Sequence, residues 1–259
     1  MELGLGGKIA IVTGGSKGIG RATAIGIAAE GGSVLACARG KEALDETVAL
    51  ARRNESGRVE TFQADLTRVD DVKRVVARCI DMFGRVDLLV NNAGSARPGE
   101  FLKITDDEWL EDWTLKFFGY VRMAREVFPH MQRQKGGVIV NLIGTGGLRP
   151  SGGYMVGGAA NAALNHFTKA LADEGAKHRV RVVGVNPGPI LTDRLRLFTE
   201  RAARGRDLND VLARMTPLGR AGNPEEVADL VMFLASERAA FIHGANITID
   251  GGANPGLIG

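Results

Sequence analysis

Eight residues near the amino end, Thr13-Gly14-Gly15-Ser16-Lys17-Gly18-Ile19-Gly20, have the composition and spacing of a phosphate cradle. In such a loop Gly14 allows a tight turn, Gly18 lets backbone amides approach a pyrophosphate, and Gly20 lets the next helix pack on the preceding strand. Ser16 and Ile19 fall within the same turn. A helix opening at Gly18 adds free N–H groups and the positive end of its dipole. The glycines alone carry little weight, and their place between an apolar strand and a helix is what strengthens them. Two cations flank the cradle. Lys17 lies inside it, and Arg39 follows the second apolar strand, where Ala38 stands in the place of the carboxylate that an NAD ribose wants. Two positive groups and no acid there favour a 2′-phosphate. The predicted dinucleotide is therefore NADP(H), with NAD(H) as the alternative; two solvated cations are the plain structural reading.

The elements that must position this loop follow from the alternation of short apolar runs with segments of helical period. Strands are expected at Lys8–Thr13, Ser33–Ala38, Val59–Gln63, Val86–Asn91, Gly137–Asn141, Val180–Asn186 and Ala245–Asp250. Helices are expected near Gly18–Glu30, Lys41–Asn54, Val69–Phe83 and Ala159–His178. Thr105 opens a long helix with Glu108 as its capping-box partner. Asn223-Pro224-Glu225-Glu226 opens another, with proline at its first position. Unbroken apolar strands between helices imply a parallel sheet covered on both faces. The predicted fold is α/β, a three-layer doubly wound parallel sheet of the Rossmann type, in a single domain over residues 1–259. The stretch 191–216 fits neither rhythm. It carries Arg194, Arg196, Arg201, Arg204, Arg206 and Arg214 and follows a strand's carboxyl end, where open α/β sheets bind ligands. It is expected to be a helical substrate lid or a solvated amphipathic helix pair; as a lid, its arginines hint at an anionic group on the substrate.

Composition excludes several functions. A chain of 259 residues, 44% hydrophobic, supports one large core. It has no run of 18 apolar residues and no secretory leader, so a soluble cytoplasmic protein without membrane association is expected. Cys37 and Cys79 are too few for a disulfide framework or zinc site and read as buried hydrophobes. The four histidines, at 130, 166, 178 and 243, form no pair at metal-ligand spacing. A net charge of +3 without a basic, aromatic-interleaved stripe gives no sign of nucleic acid.

The glycine loop is similar to that of the short-chain dehydrogenase/reductase family. Further resemblances follow in order: Asp65 within Gln63-Ala64-Asp65-Leu66-Thr67, Asn91-Asn92-Ala93-Gly94, Pro187-Gly188-Pro189-Ile190-Leu191-Thr192, and Asp250-Gly251-Gly252. Together they span nearly the whole chain. The resemblance implies that Asp65 and Leu66 flank the adenine and that Asn92, Ala93 and Gly94 line the cofactor cleft. Pro187 and Gly188 lead to Ile190 and Thr192, which hold the carboxamide end. It also implies a homotetramer or homodimer and an oxidoreductase acting on a small carbonyl or alcohol.

The family's chemistry rests on an Asn, a Ser, a Tyr and a Lys, and the resemblance breaks down there. Counting from Phe167-Thr168-Lys169 and Pro187-Gly188 puts the tyrosine position at Gly157, the lysine position at Asn161 and the serine position at Gly144. Counting from Trp109 puts the asparagine position at Lys116. Glycine can neither transfer a proton nor polarise a carbonyl. The missing residue types reappear nearby: Lys116 and Asn161 look like an exchange, Tyr154 lies about one helical turn before the vacant tyrosine position, and Thr145 follows the vacant serine position. A phenol begins near pKa 10 and is drawn toward neutrality by a nearby ammonium. The predicted catalytic set is Tyr154, Lys116, Asn161 and Thr145. The rival readings are a lyase or isomerase on the same scaffold and a catalytically silent dinucleotide-binding protein.

Overall fold

A computed structural model describes residues 2–52, 56–196 and 208–254. Seven parallel strands form one sheet: β1 (Ile9–Thr13), β2 (Ser33–Ala38), β3 (Arg58–Gln63), β4 (Leu88–Asn91), β5 (Gly137–Leu142), β6 (Val180–Pro187) and β7 (Asn246–Ile249). Their spatial order is β3-β2-β1-β4-β5-β6-β7. The chain runs outward from β1 to β3 and then crosses to β4, so the connection reverses between β1 and β4. That reversal opens a crevice at the carboxyl ends of the strands.

Helices cover both faces, as the apolar strands demand. On one side lie α1 (Gly18–Ala29), α2 (Lys41–Ala51) and α8 (Pro224–Ala235); Ile27, Leu44, Val227 and Val231 pack there with Val12, Val34 and Val185. On the other lie α3 (Val69–Phe83), α5 (Phe118–Gln134) and α6 (Met155–Ala176), whose Val72, Val75, Met123, Val127 and Ala172 meet Ile11, Leu35, Leu89 and Ile139. α4 (Asp106–Lys116) precedes α5, and the short α7 (Leu208–Ala213) follows β6. Fully burying a side chain such as Ile11 or Leu35 stabilises the fold by about 1.5–3 kcal/mol. Cys37 and Cys79 are buried in the second layer, and burial pushes both thiols up to about 12.

Local chemistry explains where the elements stop. Thr105 accepts from the Glu108 amide at 3.3 Å while the Glu108 carboxylate accepts from the Thr105 amide at 3.0 Å, closing the expected box. The helix it opens is interrupted at Phe117, giving two helices where one long one was expected. The Phe117 amide still reaches the Trp113 carbonyl, but the step lets Lys116 and Tyr120 both reach the end of β5. β4 begins two residues later than expected because the Gln134 amide side chain takes both backbone groups of Val86. α6 begins four residues earlier than expected. Gly157 and Gly158 lie inside the helix, where their missing side chains leave room for Tyr154 and the Gly146 carbonyl.

Of the stretch 191–216, residues 197–207 lie outside the described residues; a helical turn begins at Asp193, and α7 follows. Among the described residues no helix is long and apolar enough to cross a membrane, and no three His, Cys, Asp or Glu side chains could hold a metal ion.

Candidate active site

A cavity of about 740 Å³ opens at the reversal point, over the carboxyl ends of β1, β4, β5 and β6. That volume falls within the roughly 300–1,000 Å³ of small-molecule sites. One wall is the glycine loop, where Gly14, Lys17, Gly18 and Ile19 line the space. Gly14 adopts φ +65°, a left-handed conformation that side chains disfavour. A Cβ at Gly20 would run into the Gly14 carbonyl and the Asn92 amide, so this residue closes helix against loop rather than facing the cavity. The first turn of α1 holds no acid, and its leading N–H groups have no intrahelical acceptor. The loop is clamped from β4: the Thr13 hydroxyl accepts from the amides of Asn92 and Ala93 at 2.9 and 3.0 Å. The Asn92 side chain donates to the carbonyls of Thr13 and Gly14.

Asn92, Ala93 and Gly94 form the next wall, and Pro187, Gly188, Ile190 and Thr192 form the one after β6. Five expected cofactor residues lie away from the cavity lining. Gly20 is one. Ser16 is half-buried, its backbone carbonyl accepting from Arg21 at 2.8 Å. Leu66 is buried in the second core layer. Asp65 accepts from the amide and hydroxyl of Thr67 at 3.0 and 2.8 Å, which shapes the turn after β3. Arg39 is exposed beyond the end of β2, its carbonyl held by Gln63. Lys17 does have an acid beside it: Asp193, from the segment after β6, stands 3.5 Å away across the cleft mouth.

The floor of the cavity brings Lys116, Tyr154, Asn161 and Thr145 together. Trp113 of α4 donates to the Val156 carbonyl at 3.2 Å, which fixes the start of α6 against α4. The Gly99 amide donates to the Gly153 carbonyl, tying the loop after β4 to the turn that carries Tyr154. The Tyr154 ring then lies over Gly157; a Cβ there would stand 2.5 Å from Cε1 and closer still to Cζ and the hydroxyl oxygen. The phenol therefore occupies the space that a side chain at 157 would need. Its hydroxyl accepts from Arg194 at 3.3 Å.

Lys116 is turned inward and is only 7% exposed. Its amine donates to the carbonyls of Leu142 and Ile143 at 3.1 and 3.0 Å and to the Tyr120 hydroxyl at 3.3 Å. Burial, with the Arg194 guanidinium adding to it, pushes Lys116 down to about 7. Burial, and then the neighbouring Tyr154, pushes the Tyr120 phenol up; its hydroxyl donates to Leu142 at 2.6 Å. Tyr120 is absent from the expected site, and Arg194 enters it only as one of the arginines of the 191–216 stretch. Tyr120 sits four residues after Lys116, a spacing that could have found it, whereas Arg194 is one of six arginines in a polar stretch.

Asn161 is 3% exposed and lines the cavity, and its Oδ1 has no hydrogen-bond partner among the described residues. A buried acceptor left unpaired costs roughly 1–3 kcal/mol, and a ligand hydroxyl in the cavity would relieve that cost. The left-handed glycine loop, the uncapped helix terminus and this orphaned acceptor fit a dinucleotide: phosphates at the first two, a ribose hydroxyl at the third.

Comparison with known proteins agrees with this geometry. Residues 14–254 match the family model described as enoyl-(acyl carrier protein) reductase. The chain is 36% identical to a 3-oxoacyl-[acyl-carrier-protein] reductase of Thermotoga maritima, over 95% of this chain and 97% of that one. It is 37% identical to an acetoacetyl-CoA reductase of Rhizobium meliloti, over 95% and 98%. The crystal structure of L-sorbose reductase from Gluconobacter frateurii, complexed with NADPH and L-sorbose, superposes with a TM-score of 0.94 at 32% identity, covering 99% of this chain and all of that one. The glycine loop, the sheet order and these relatives together place the chain in the short-chain dehydrogenase/reductase family.

Proposed function

We propose that the protein is an NADP(H)-dependent oxidoreductase that interconverts a small carbonyl compound and its alcohol, with Tyr154 as the acid–base group of a non-standard site. The observation that carries this reading is the Tyr154 ring lying over Gly157, so that a phenol reaches the cleft floor from a residue three positions earlier. Gly144, Gly157, Asn161 and Lys116 stand where the family's serine, tyrosine, lysine and asparagine are expected. NADPH, when bound, supplies the hydride. Tyr154 gives its hydroxyl proton to the substrate oxygen during reduction and takes it back during oxidation. Thr145, on the rim of the turn after β5, offers a hydroxyl to the same oxygen. Asn161 accepts from a ribose hydroxyl, and Lys116 holds the end of β5 beneath the site through the Leu142 and Ile143 carbonyls. Pre-placing these groups replaces an encounter in solution by a fixed geometry.

Lys17 and Arg39 are read as the holders of the 2′-phosphate. The Lys17–Asp193 pair is long, at 3.5 Å, and both side chains are largely exposed. Such a pair is worth little and yields readily to a phosphate dianion. Assembly as a homotetramer or homodimer belongs to the same reading, supported by the exposed Leu110 of α4 and Phe118 of α5. An anionic substrate is supported by Arg194 in the cavity wall.

The test is incubation with NADPH and a panel of 3-oxoacyl thioesters, ketoses and simple ketones, following reduced-cofactor absorbance and products together. Cofactor oxidation matched by alcohol is expected. Product without oxidation would point to a lyase or isomerase, and binding without turnover to a silent dinucleotide-binding protein; either defeats the proposal.

A further inference from the structure

We infer that Arg194 is the cation that supports the Tyr154 phenol, a positioning residue doing electrostatically what Lys116 does not. The inference rests on the reading of Tyr154 as the acid–base group. Arg194 Nη2 donates to the Tyr154 hydroxyl at 3.3 Å. The guanidinium is held in place from the far side: Nη2 also donates to the Ala96 carbonyl at 2.8 Å, and Nη1 to the Gly94 carbonyl at 3.5 Å. Its anchors thus belong to the loop after β4 and its own backbone to the segment after β6, so the guanidinium bridges two walls of the cleft at Tyr154.

Among the described residues, Arg194 is the cation within hydrogen-bond reach of the phenol. From α4, Lys116 directs its amine to Leu142, Ile143 and Tyr120. At neutral pH that amine is also only partly charged, whereas a guanidinium stays protonated. From α5, Tyr120 is a neutral phenol whose proton is given to Leu142. At the cleft mouth, Asp193 pairs with Lys17. In the loop after β4, Arg97 is engaged by Glu108, Glu111 and Asp112. When the Tyr154 O–H bond breaks and a new O–H forms on the substrate oxygen, the negative charge left on the phenolate falls beside Arg194. In the reverse direction the same phenolate takes the alcohol's proton while hydride leaves for NADP⁺. A cation beside a phenol favours its ionised form.

The experiment is the pH profile of NADP⁺-dependent alcohol oxidation in the wild type, Arg194→Gln, Arg194→Lys and Tyr154→Phe. Arg194→Gln is expected to move the rising limb upward and to lower kcat at neutral pH about tenfold or more, with NADP⁺ affinity unchanged. Arg194→Lys should return the limb most of the way. A superimposable profile in Arg194→Gln overturns the inference, as does a rise in KM alone, which is what loss of an anion-binding contact would give. Full turnover in Tyr154→Phe defeats the acid–base assignment itself. Loss of turnover there, with an unmoved Arg194→Gln profile, defeats only the role given to Arg194.

Discussion

Replacing Lys116 by methionine should change the dependence of stability on pH. The amine is buried and held down to about 7 against an ordinary value of 10.5. Below pH 7 both folded and unfolded chains carry the proton, and the fold bears the full cost of burying the charge. Between pH 7 and 10.5 the unfolded chain keeps a proton that the folded chain has released, so stability rises with pH. At about 1.4 kcal/mol per unit, the gain from Lys116 across that window is on the order of 5 kcal/mol. Methionine fills a similar volume and does not titrate. It leaves the Leu142 carbonyl its bond from Tyr120 but removes the donor to Ile143, costing about 1–3 kcal/mol at every pH. Urea unfolding of both proteins from pH 6 to 10 checks this. The wild type minus variant difference should climb steadily between pH 7 and 10. A flat difference would mean that the three acceptors keep the folded amine charged, and the description of Lys116 as only partly charged at neutral pH would be wrong.

Two further outcomes follow. Gly157→Ala gains about 1 kcal/mol of helix propensity against an overpacking cost of ~1–3 kcal/mol. Its added Cβ must push the Tyr154 ring off the cleft floor, so urea melts should change little while kcat falls about 10²–10⁴-fold; full kcat would show that the ring's place is irrelevant. Arg39→Asp should reverse the preference of the free protein for NADPH over NADH in fluorescence titrations, because each charge-assisted contact with the 2′-phosphate is worth roughly 1.5–3 kcal/mol; equal binding before and after the change would remove Arg39 from that role.

The sheet, its covering helices and the glycine loop were legible because each is written locally: continuous apolar runs, the Thr105–Glu108 box, Pro224 at a helix start. The misread start of β4 depends on a partner far away in sequence: both backbone groups of Val86 are taken by the Gln134 side chain, 48 residues on. The early start of α6 is local, with the Tyr154 ring folded over Gly157 three residues later. In the cleft, the proximity of Tyr154 to the vacant position could be counted along the chain. The partnership could not. Lys116 was expected beside Tyr154, yet its hydrogen bonds go to β5 and Tyr120, and the cation on the phenol comes from 40 residues further along. An arginine in an arginine-rich stretch carries no mark of the side chain that will face the cavity. Asp65 also shapes the turn after β3 and Leu66 also packs in the core, roles that the pattern around them does not announce.

The most direct test is single-turnover reduction of a carbonyl substrate from the panel by NADPH-loaded wild type and Tyr154→Phe, with NADPH affinity measured alongside. The wild type should consume one NADPH per alcohol formed. The variant should bind NADPH with the same affinity and reduce the carbonyl about 10²–10⁴-fold more slowly. An undiminished rate in Tyr154→Phe, or product formed by the wild type with no NADPH consumed, would contradict a Tyr154-based hydride-transfer site.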